Sequence, residues 1–419
     1  MIEPVIWLLY AAVLYVSIFS LLVFLEKGKL RQEVEWLDQW PGITLVIPAY
    51  NEEESIGMTI ESALDVDYPE DKLNVIVVDD GSSDRTAEIA EEYTEDKRVE
   101  LVQQENQGKG GALNTGLEKC ETDFMACVDA DSRLEENSIK NIVSKFDDDT
   151  AAIASAMKVY SPQNVLQKMQ WLEYIVGIFM RNILGMINAI YVTPGPLSVY
   201  RSDVLKEVGG FDEDSLVEDQ EICFRLQKHH WKVGHSRGGE VYTIAPDNIK
   251  DYYHQRKRWY RGSAENMLKY REMILNKDYG DFGLFALPQN IMTSILSVAV
   301  LLLTVYITIA PLTGVVSDFI TLGFQAFDLS SLIPSSLGEL TTSIYWQVLN
   351  ARYVTILMLG ALFSISFLIA YLASEHTEEK LTKMGLIPTF IYLAWYVFFT
   401  GFVWMIVLID MITDAERKW

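Results

Sequence analysis

Four long runs without a formal charge limit what this chain of 419 residues can become. Val5 to Leu25, the interval between Asp281 and Asp318, Tyr353 to Ser374, and Met384 to Ile409 hold no Asp, Glu, Lys or Arg. A bilayer core ~30 Å thick takes about 20 apolar residues in a helix. Each run meets that length, so a helical membrane protein is expected. The first run is expected to be a retained anchor, because its head is acidic (Glu3) and no small-residue cleavage site follows. Lys27, Lys29 and Arg31 follow it, which places the next block on the cytosolic side. Lys380 and Lys383, between the last two runs, fit that topology, whereas Arg417 and Lys418 fit an outside C-terminus poorly.

The domain expectation is an N-terminal transmembrane helix over 1–26, a cytosolic α/β domain over 27–281, and a C-terminal transmembrane region of about three helices over 282–419. A formal net charge of −24 excludes broad nucleic-acid binding. Cys120, Cys127 and Cys223 lack metal-type spacing and an even pairing, and are expected as buried small residues.

Within the soluble block, short β-branched runs alternate with helical-period segments, the pattern of a parallel sheet covered by helices. Strands are expected at Ile43 to Ala49, Asn74 to Asp79, Glu100 to Gln103, Phe124 to Asp129 and Ala151 to Lys158. Helices are expected at Glu53 to Asp65, at Asp84 to Thr94 with Ser82 or Ser83 as cap, at Gly110 to Lys119 and at Gln220 to Lys228. Trp171 to Val192 is apolar but interrupted by Glu173, Arg181, Asn182 and Asn188, so it reads as a helix lying at the membrane interface. Lys250 to Arg261 carries five cations against one carboxylate, with Tyr252, Tyr253, Trp259 and Tyr260 among them. Such local charge reversal calls for an anionic partner, either lipid headgroups or a phosphorylated substrate.

Polar residues gather just after the strands, where open α/β sheets bind ligands. Asp79 and Asp80 are suited to a nucleobase and ribose hydroxyls; the same residues also suit a turn with Asp and Ser caps. Asp129 and Asp131 stand two apart in extended chain and face one side, as a hard cation such as Mg²⁺ or Mn²⁺ requires. Loop solvation is the alternative. Gly108 to Asn114 has the look of a phosphate cradle at a helix start, without Walker spacing. Glu218 and Asp219 open a helical segment, as caps or as a base facing a cleft. Gln255, Arg258 and Trp259 share a helical face, offering a guanidinium fork to a diphosphate and a ring to a sugar.

Taken in order, Asp79-Asp80, Asp129-Ala130-Asp131, Glu218-Asp219 and Gln255-Arg256-Lys257-Arg258-Trp259 resemble the motif series of processive family 2 glycosyltransferases, the membrane synthases of cellulose, hyaluronan, chitin oligosaccharides and poly-N-acetylglucosamine. Pro48 to Glu52, Gly108 to Asn114, Gly195 to Arg201 and Gly209 to Asp212 are similar to the same family, although Val217 stands where many members have Thr. The resemblance implies a GT-A (Rossmann-like) domain with transmembrane and interface helices, the latter near 165–192 and 250–290. It implies an inverting enzyme of the cell membrane, moving sugar from a nucleotide-diphosphate donor, commonly UDP-linked, to a growing polysaccharide as a β-glycoside. Secretion through its own membrane region is implied with it. Single-sugar transfer to a membrane lipid, as in glucosylceramide-type synthases, is the alternative.

By the same resemblance Asp219 is the base, with Glu218 beside it. Pro48, Tyr50, Glu52, Asp79, Asp80, Lys109, Asn114, Asp129, Ala130, Gln255, Arg258 and Trp259 bind the donor. Asp131 and Asp129 hold Mg²⁺ or Mn²⁺, and Gly195, Pro196, Leu197 and Trp259 meet the acceptor.

Overall fold

Ile43–Ala49 (β1) is a continuous apolar strand, and every residue in it is buried, as expected for a strand covered on both faces. The computed structural model describes residues 2–27, 36–322, 353–381 and 385–413. β1 pairs in parallel with Leu73–Asp79 (β2), which pairs with Val99–Gln103 (β3), and on its other side with Phe124–Cys127 (β4). Arg133–Leu134 (β5), Thr150–Val159 (β6), Ser198–Arg201 (β7) and Lys232–Thr243 (β8) complete an eight-stranded sheet in the order β3-β2-β1-β4-β7-β6-β8-β5.

The sheet is mixed, where a parallel one was expected. β7 runs antiparallel to both β4 and β6. Its chain leaves the end of β6 through a helix and an extended tail and re-enters at that same end, which dictates the reversed direction. β8 then runs parallel to β6.

The helices of the soluble part are Ile56–Leu64 (α2), Thr86–Glu92 (α3), Gly108–Lys119 (α4), Ser138–Val143 (α5), Val165–Gly185 (α6), Ser202–Glu207 (α7), Glu218–Lys228 (α8) and Ile249–Lys269 (α9); Ile2–Lys27 (α1) precedes them. Neither Ser82 nor Ser83 caps α3. It starts two residues beyond the expected Asp84, whose Oδ1 accepts from the Thr86 N–H at 3.0 Å. α6 starts and stops earlier than the interface helix expected, with Asn164 and Gln167 forming a reciprocal capping box at its start.

Leu287–Leu322 (α10), Tyr353–His376 (α11) and Leu386–Ile412 (α12) follow. Phe282–Tyr306 and Ile387–Ile412 are long and apolar enough to cross a membrane, whereas Tyr10–Glu26 and Gly360–His376 are shorter apolar helical stretches. The three cysteines are free and buried. Lys29, Arg31, Lys383, Arg417 and Lys418, used in the orientation argument, lie outside the described residues.

Two cores sandwich the sheet, one under α4, α7 and α8, the other under α2 and α5. A third joins α1, α6 and α11 and includes Trp171, Ile175, Phe179, Ala370 and Ala373. It packs α6 against the apolar helices α1 and α11, which ties these helices to the sheet domain.

Candidate active site

The parallel pairing of β1, β2 and β4 brings their carboxyl ends to one edge, so that residues far apart in sequence stand side by side there. Pro48 is buried inside β1, whereas Tyr50, just beyond it, is 51% exposed. The Glu52 N–H donates to Thr86 Oγ1 at 2.7 Å, and its carboxylate accepts from Ser55 Oγ at 2.6 Å.

The two aspartates that end β2 do different things. Asp80 is a strut: its Oδ1 accepts from Gln104 Nε2 at 2.7 Å and Gln107 N at 2.8 Å, and its Oδ2 from Gly108 N at 2.8 Å. Only Ser82 N reaches Asp79, at 3.3 Å, which leaves that carboxylate freer for a ligand. Asn114 is a strut as well. Its amide donates to Phe211 O at 3.0 Å and Glu213 Oε1 at 2.9 Å and accepts from Phe211 N at 2.7 Å, pinning the loop that carries Gly209 and Gly210.

The centre of the site is an ion triad. Lys109, in the first turn of α4, places Nζ 2.6 Å from Asp129 Oδ1 and 2.8 Å from Glu218 Oε1. A lysine expected against phosphate thus bridges the strand-end motif to the start of α8. Burial alone raises the Glu218 carboxyl, but Lys109 overrides it and holds the group below the usual carboxylate range. Gly195 makes this packing feasible, since a Cβ there would fall 2.6 Å from Lys109 Nζ and 2.9 Å from Asp129 Oδ2. Pro196 joins Gly195 in the cavity lining, whereas Leu197 and Ala130 belong to the core behind it. Thr59 Oγ1 donates to the Ala130 carbonyl at 2.7 Å, so that residue fixes backbone between the two aspartates.

Asp219 sits next to the triad without a cation of its own. Burial first, then the neighbouring Glu218, pushes its carboxyl up to about 7. Its Oδ1 accepts from the N–H of Gln220 at 2.8 Å. Thr193, which the motif reading passed over, holds the Asp219 carbonyl through its Oγ1 at 2.7 Å and is braced by Tyr200 OH at 2.9 Å. A half-buried carboxyl poised near neutrality in a cleft has the properties of a general base. Val217 precedes it and packs against α9 where only a glycine fits, a Cβ on Gly262 falling 2.4 Å from Val217 Cγ2.

Gln255, Arg258 and Trp259 of α9 face the same cavity, which has a volume of about 570 Å³. Arg258 is exposed, makes no ion pair among the described residues, and lowers the carboxyls of both Glu218 and Asp219. The charge reversal of this segment is largely settled inside the protein. Arg256 is fully buried against Glu173 of α6 at 2.8 Å, Lys257 reaches Asp410 of α12 at 2.6 Å, and Arg261 pairs with Glu265 at 3.2 Å. Arg256 also lies 4.2 Å over the Trp259 ring, which fixes that ring's attitude.

The far wall comes from α6 and the apolar helices: Arg181 of α6, Gln289, Asn290, Thr293 and Ser294 of α10, and Tyr396, Thr400 and Trp404 of α12. None of the α10 and α12 residues carried a motif signal. Glu173 and Arg181 did carry one, as charges inside an otherwise apolar helix.

Asp131 is the residue best suited to a cation. Burial, then Asp129 and Glu52, pushes its carboxyl up to about 7, and its nearest hydroxyls, Ser132 Oγ and Thr243 Oγ1, stand 3.5 Å away. Uncompensated negative charge of this kind fits a hard divalent ion held through one or two carboxylates and completed by substrate phosphates. Among the described residues no cluster of three or more His, Cys, Asp or Glu side chains makes a self-sufficient metal cage.

Residues 44–209 match the model of Glycosyl transferase family 2. The chain is 29% identical over 238 residues to poly-beta-1,6-N-acetyl-D-glucosamine synthase of Staphylococcus epidermidis, covering 55% of this chain and 57% of that one. To the synthase of the same name from Staphylococcus aureus (strain COL) it is 28% identical over 274 residues, covering 64% and 65%. It thus spans under two thirds of these relatives' length. Among solved structures, a mannosyltransferase from Pyrobaculum calidifontis, in complex with GDP-Man and Mn²⁺, matches 89% of this chain and 99% of its own at a TM-score of 0.55 and 18% identity. That likeness shows the fold, a Rossmann-like GT-A domain.

Proposed function

On a chain that carries a glycosyl transferase family 2 domain, we propose that the cavity transfers sugar from a nucleotide-diphosphate donor, UDP-linked as in the poly-N-acetylglucosamine type of synthase, to a growing polysaccharide with inversion at the anomeric carbon. The observation that carries this is Asp219, a half-buried carboxyl pushed up to about 7 that shares one cavity with Asp129, Asp131 and Arg258.

Asp79 and Tyr50, at the open ends of β2 and β1, take the nucleoside. Asp131 and Asp129 would hold Mg²⁺ or Mn²⁺, which would neutralise charge on the leaving group. Arg258, with no carboxylate partner among the described residues, meets the charge that develops on the leaving diphosphate. Asp219 takes the proton of the acceptor hydroxyl as it attacks the anomeric carbon from the opposite face, so an α-linked donor gives a β-linked product. Gly195, Pro196, Gln255 and Trp259 position the acceptor. Lys109 holds Asp129 and Glu218 in register before any ligand arrives.

The spans and the basic residues after α1 support a multi-pass protein of the cell membrane with its sheet domain in the cytosol. Single-sugar transfer to a lipid is the second reading, favoured by the cavity wall supplied by α10 and α12. Incubating the purified full chain with UDP- and GDP-linked sugars plus Mn²⁺, then sizing the product and determining its anomeric configuration, tests the proposal. A retained anomer, or no transfer from any donor, overturns it.

A further inference from the structure

Besides Asp219, the cavity lining includes Arg181 and Gln289, which carry buried polar atoms with no protein partner among the described residues. Nε and Nη2 of Arg181, on α6, are sealed from solvent and donate to nothing, and Oε1 of Gln289, on α10, is sealed and accepts from nothing. Both residues line the cavity together with Asp219. Among the described residues no carboxylate lies within ion-pair distance of Arg181, although the charge of Asp219 reaches it. Elsewhere the protein pairs its buried guanidinium, as Arg256 with Glu173 shows. Arg181 is half-buried at the cavity wall, and a cation so placed without a counter-ion is unfavourable unless a ligand supplies one.

The chemistry of the missing ligand follows from the open groups. The Nε–Nη2 edge of a guanidinium is a planar fork that takes two oxygens of one oxyanion, and a single positive charge matches a singly charged one. Gln289 Oε1 requires a hydroxyl or amide donor, and Asp219 requires a hydroxyl to deprotonate. A phosphodiester bearing a polyol, with one hydroxyl to react and another to donate to Gln289, meets all three demands. Met180, Leu184 and Ala286 line the same cavity, and α10 and α12 rise from it as apolar helices, so its occupant has an apolar tail.

We propose that Arg181 and Gln289 form an acceptor subsite for a polyol phosphodiester lipid headgroup, of the phosphatidylglycerol type, on which the first sugar is placed. This rests on the reading of the cavity as a glycosyl-transfer site. In the step, a headgroup hydroxyl oxygen bonds to the anomeric carbon and its proton passes to Asp219. The bond from that carbon to the diphosphate oxygen breaks, and the nucleoside diphosphate leaves with the electron pair. The phosphodiester itself is untouched.

The test uses the full chain in vesicles of phosphatidylglycerol or of phosphatidylcholine alone, with labelled nucleotide sugar and Mn²⁺, reading lipid-bound and free sugar separately. The expected result is lipid-bound label in phosphatidylglycerol vesicles only. Arg181→Gln should lower the ratio of lipid-bound to free sugar by about tenfold or more, as loss of a charge-assisted hydrogen bond does. Arg181→Lys should fall between, and Gln289→Leu should lower the ratio roughly threefold, as loss of a neutral bond does. Equal labelling in phosphatidylcholine overturns the inference, as does equally strong labelling of soluble glycerol 3-phosphate. So does an Arg181→Gln variant with an unchanged ratio, or one whose free and lipid-bound sugar fall in parallel. Failure of wild type to release or transfer sugar from any donor instead sinks the transferase reading itself.

Discussion

The two sides of the cavity are finished to different degrees. On the sheet side, the framework is held by protein partners: Lys109 spans Asp129 and Glu218 at the cavity wall, and Asp80, behind the lining, accepts three hydrogen bonds. On the opposite side, formed by α6 and α10, Arg181 and Gln289 line the cavity with buried hydrogen-bonding atoms that have no protein partner among the described residues. A side whose groups satisfy one another is a preorganised instrument, because it reaches the reacting geometry without the ligand's help. A side whose groups are open is a recognition surface, since its unmet bonds are met only by an occupant of the right chemistry.

The largest expected effect tests the finished side. Asp219→Asn removes the proton acceptor while keeping shape, and transfer should fall by ~10²–10⁴-fold with donor affinity nearly intact; measuring turnover beside donor binding checks this. Substantial turnover would move the base elsewhere.

Next comes the clasp between the two sides. Glu173→Gln leaves Arg256 fully buried without its counter-ion, a change expected to cost about 3–5 kcal/mol of stability. Chemical or thermal unfolding of the detergent-solubilised chain reads it, and a loss under about 1 kcal/mol would mean the pair is not the anchor described here.

A smaller effect comes from pH. The Asp219 carboxyl, ordinarily at 3.8, is pushed up to about 7, so the base is protonated below neutrality. Transfer should fall about tenfold per pH unit below that value and level off above it. The same shift favours the folded chain below pH 3.8, and that contribution disappears as pH rises through about 7. Activity and this part of stability therefore run in opposite directions, which a pH–rate profile beside a pH–stability profile resolves.

The smallest effect concerns Trp259, whose ring contact with a sugar is worth roughly 0.5–1.5 kcal/mol beyond area burial. Trp259→Ala should shorten products and raise free sugar rather than abolish donor cleavage. Equal loss of both would place the ring on the donor.

The two sides also differed in how far the sequence disclosed them. β1 was read at its exact bounds and β2, β3 and β6 to within a residue, and the family named from the motif series agrees with the match over residues 44–209. Strand ends followed by Asp, Asn and Gly carry a local signal, because they stop a buried apolar run where the chain must turn. Partnership at long range has no such signal. Asp80 and Asn114 look like ligand-binding residues until Gln107, Gly108 and Phe211 are seen to occupy them. The cations of α9 called for an anionic partner, lipid headgroups or a phosphorylated substrate, whereas Arg256 and Lys257 find theirs in Glu173 and Asp410. β7 went unread because its reversal depends on where α6 delivers the chain, not on its own four residues. The α10 and α12 wall was silent for a related reason: polar residues such as Gln289 and Thr400 give no motif in an apolar run, and their meaning comes from what they face.

Tyr396 OH donates to Glu173 Oε1 at 2.9 Å, and with Thr400 and Trp404 it closes one side of the cavity. Those residues lie in the last described helix, made after the sheet domain has left the ribosome. The carboxylates of the sheet domain are therefore made before the helix that closes the cavity opposite them. A chain that stops short of Tyr396 would hold the sheet-side residues of this cavity without the α12 wall, so the chamber is complete only once that helix has been made.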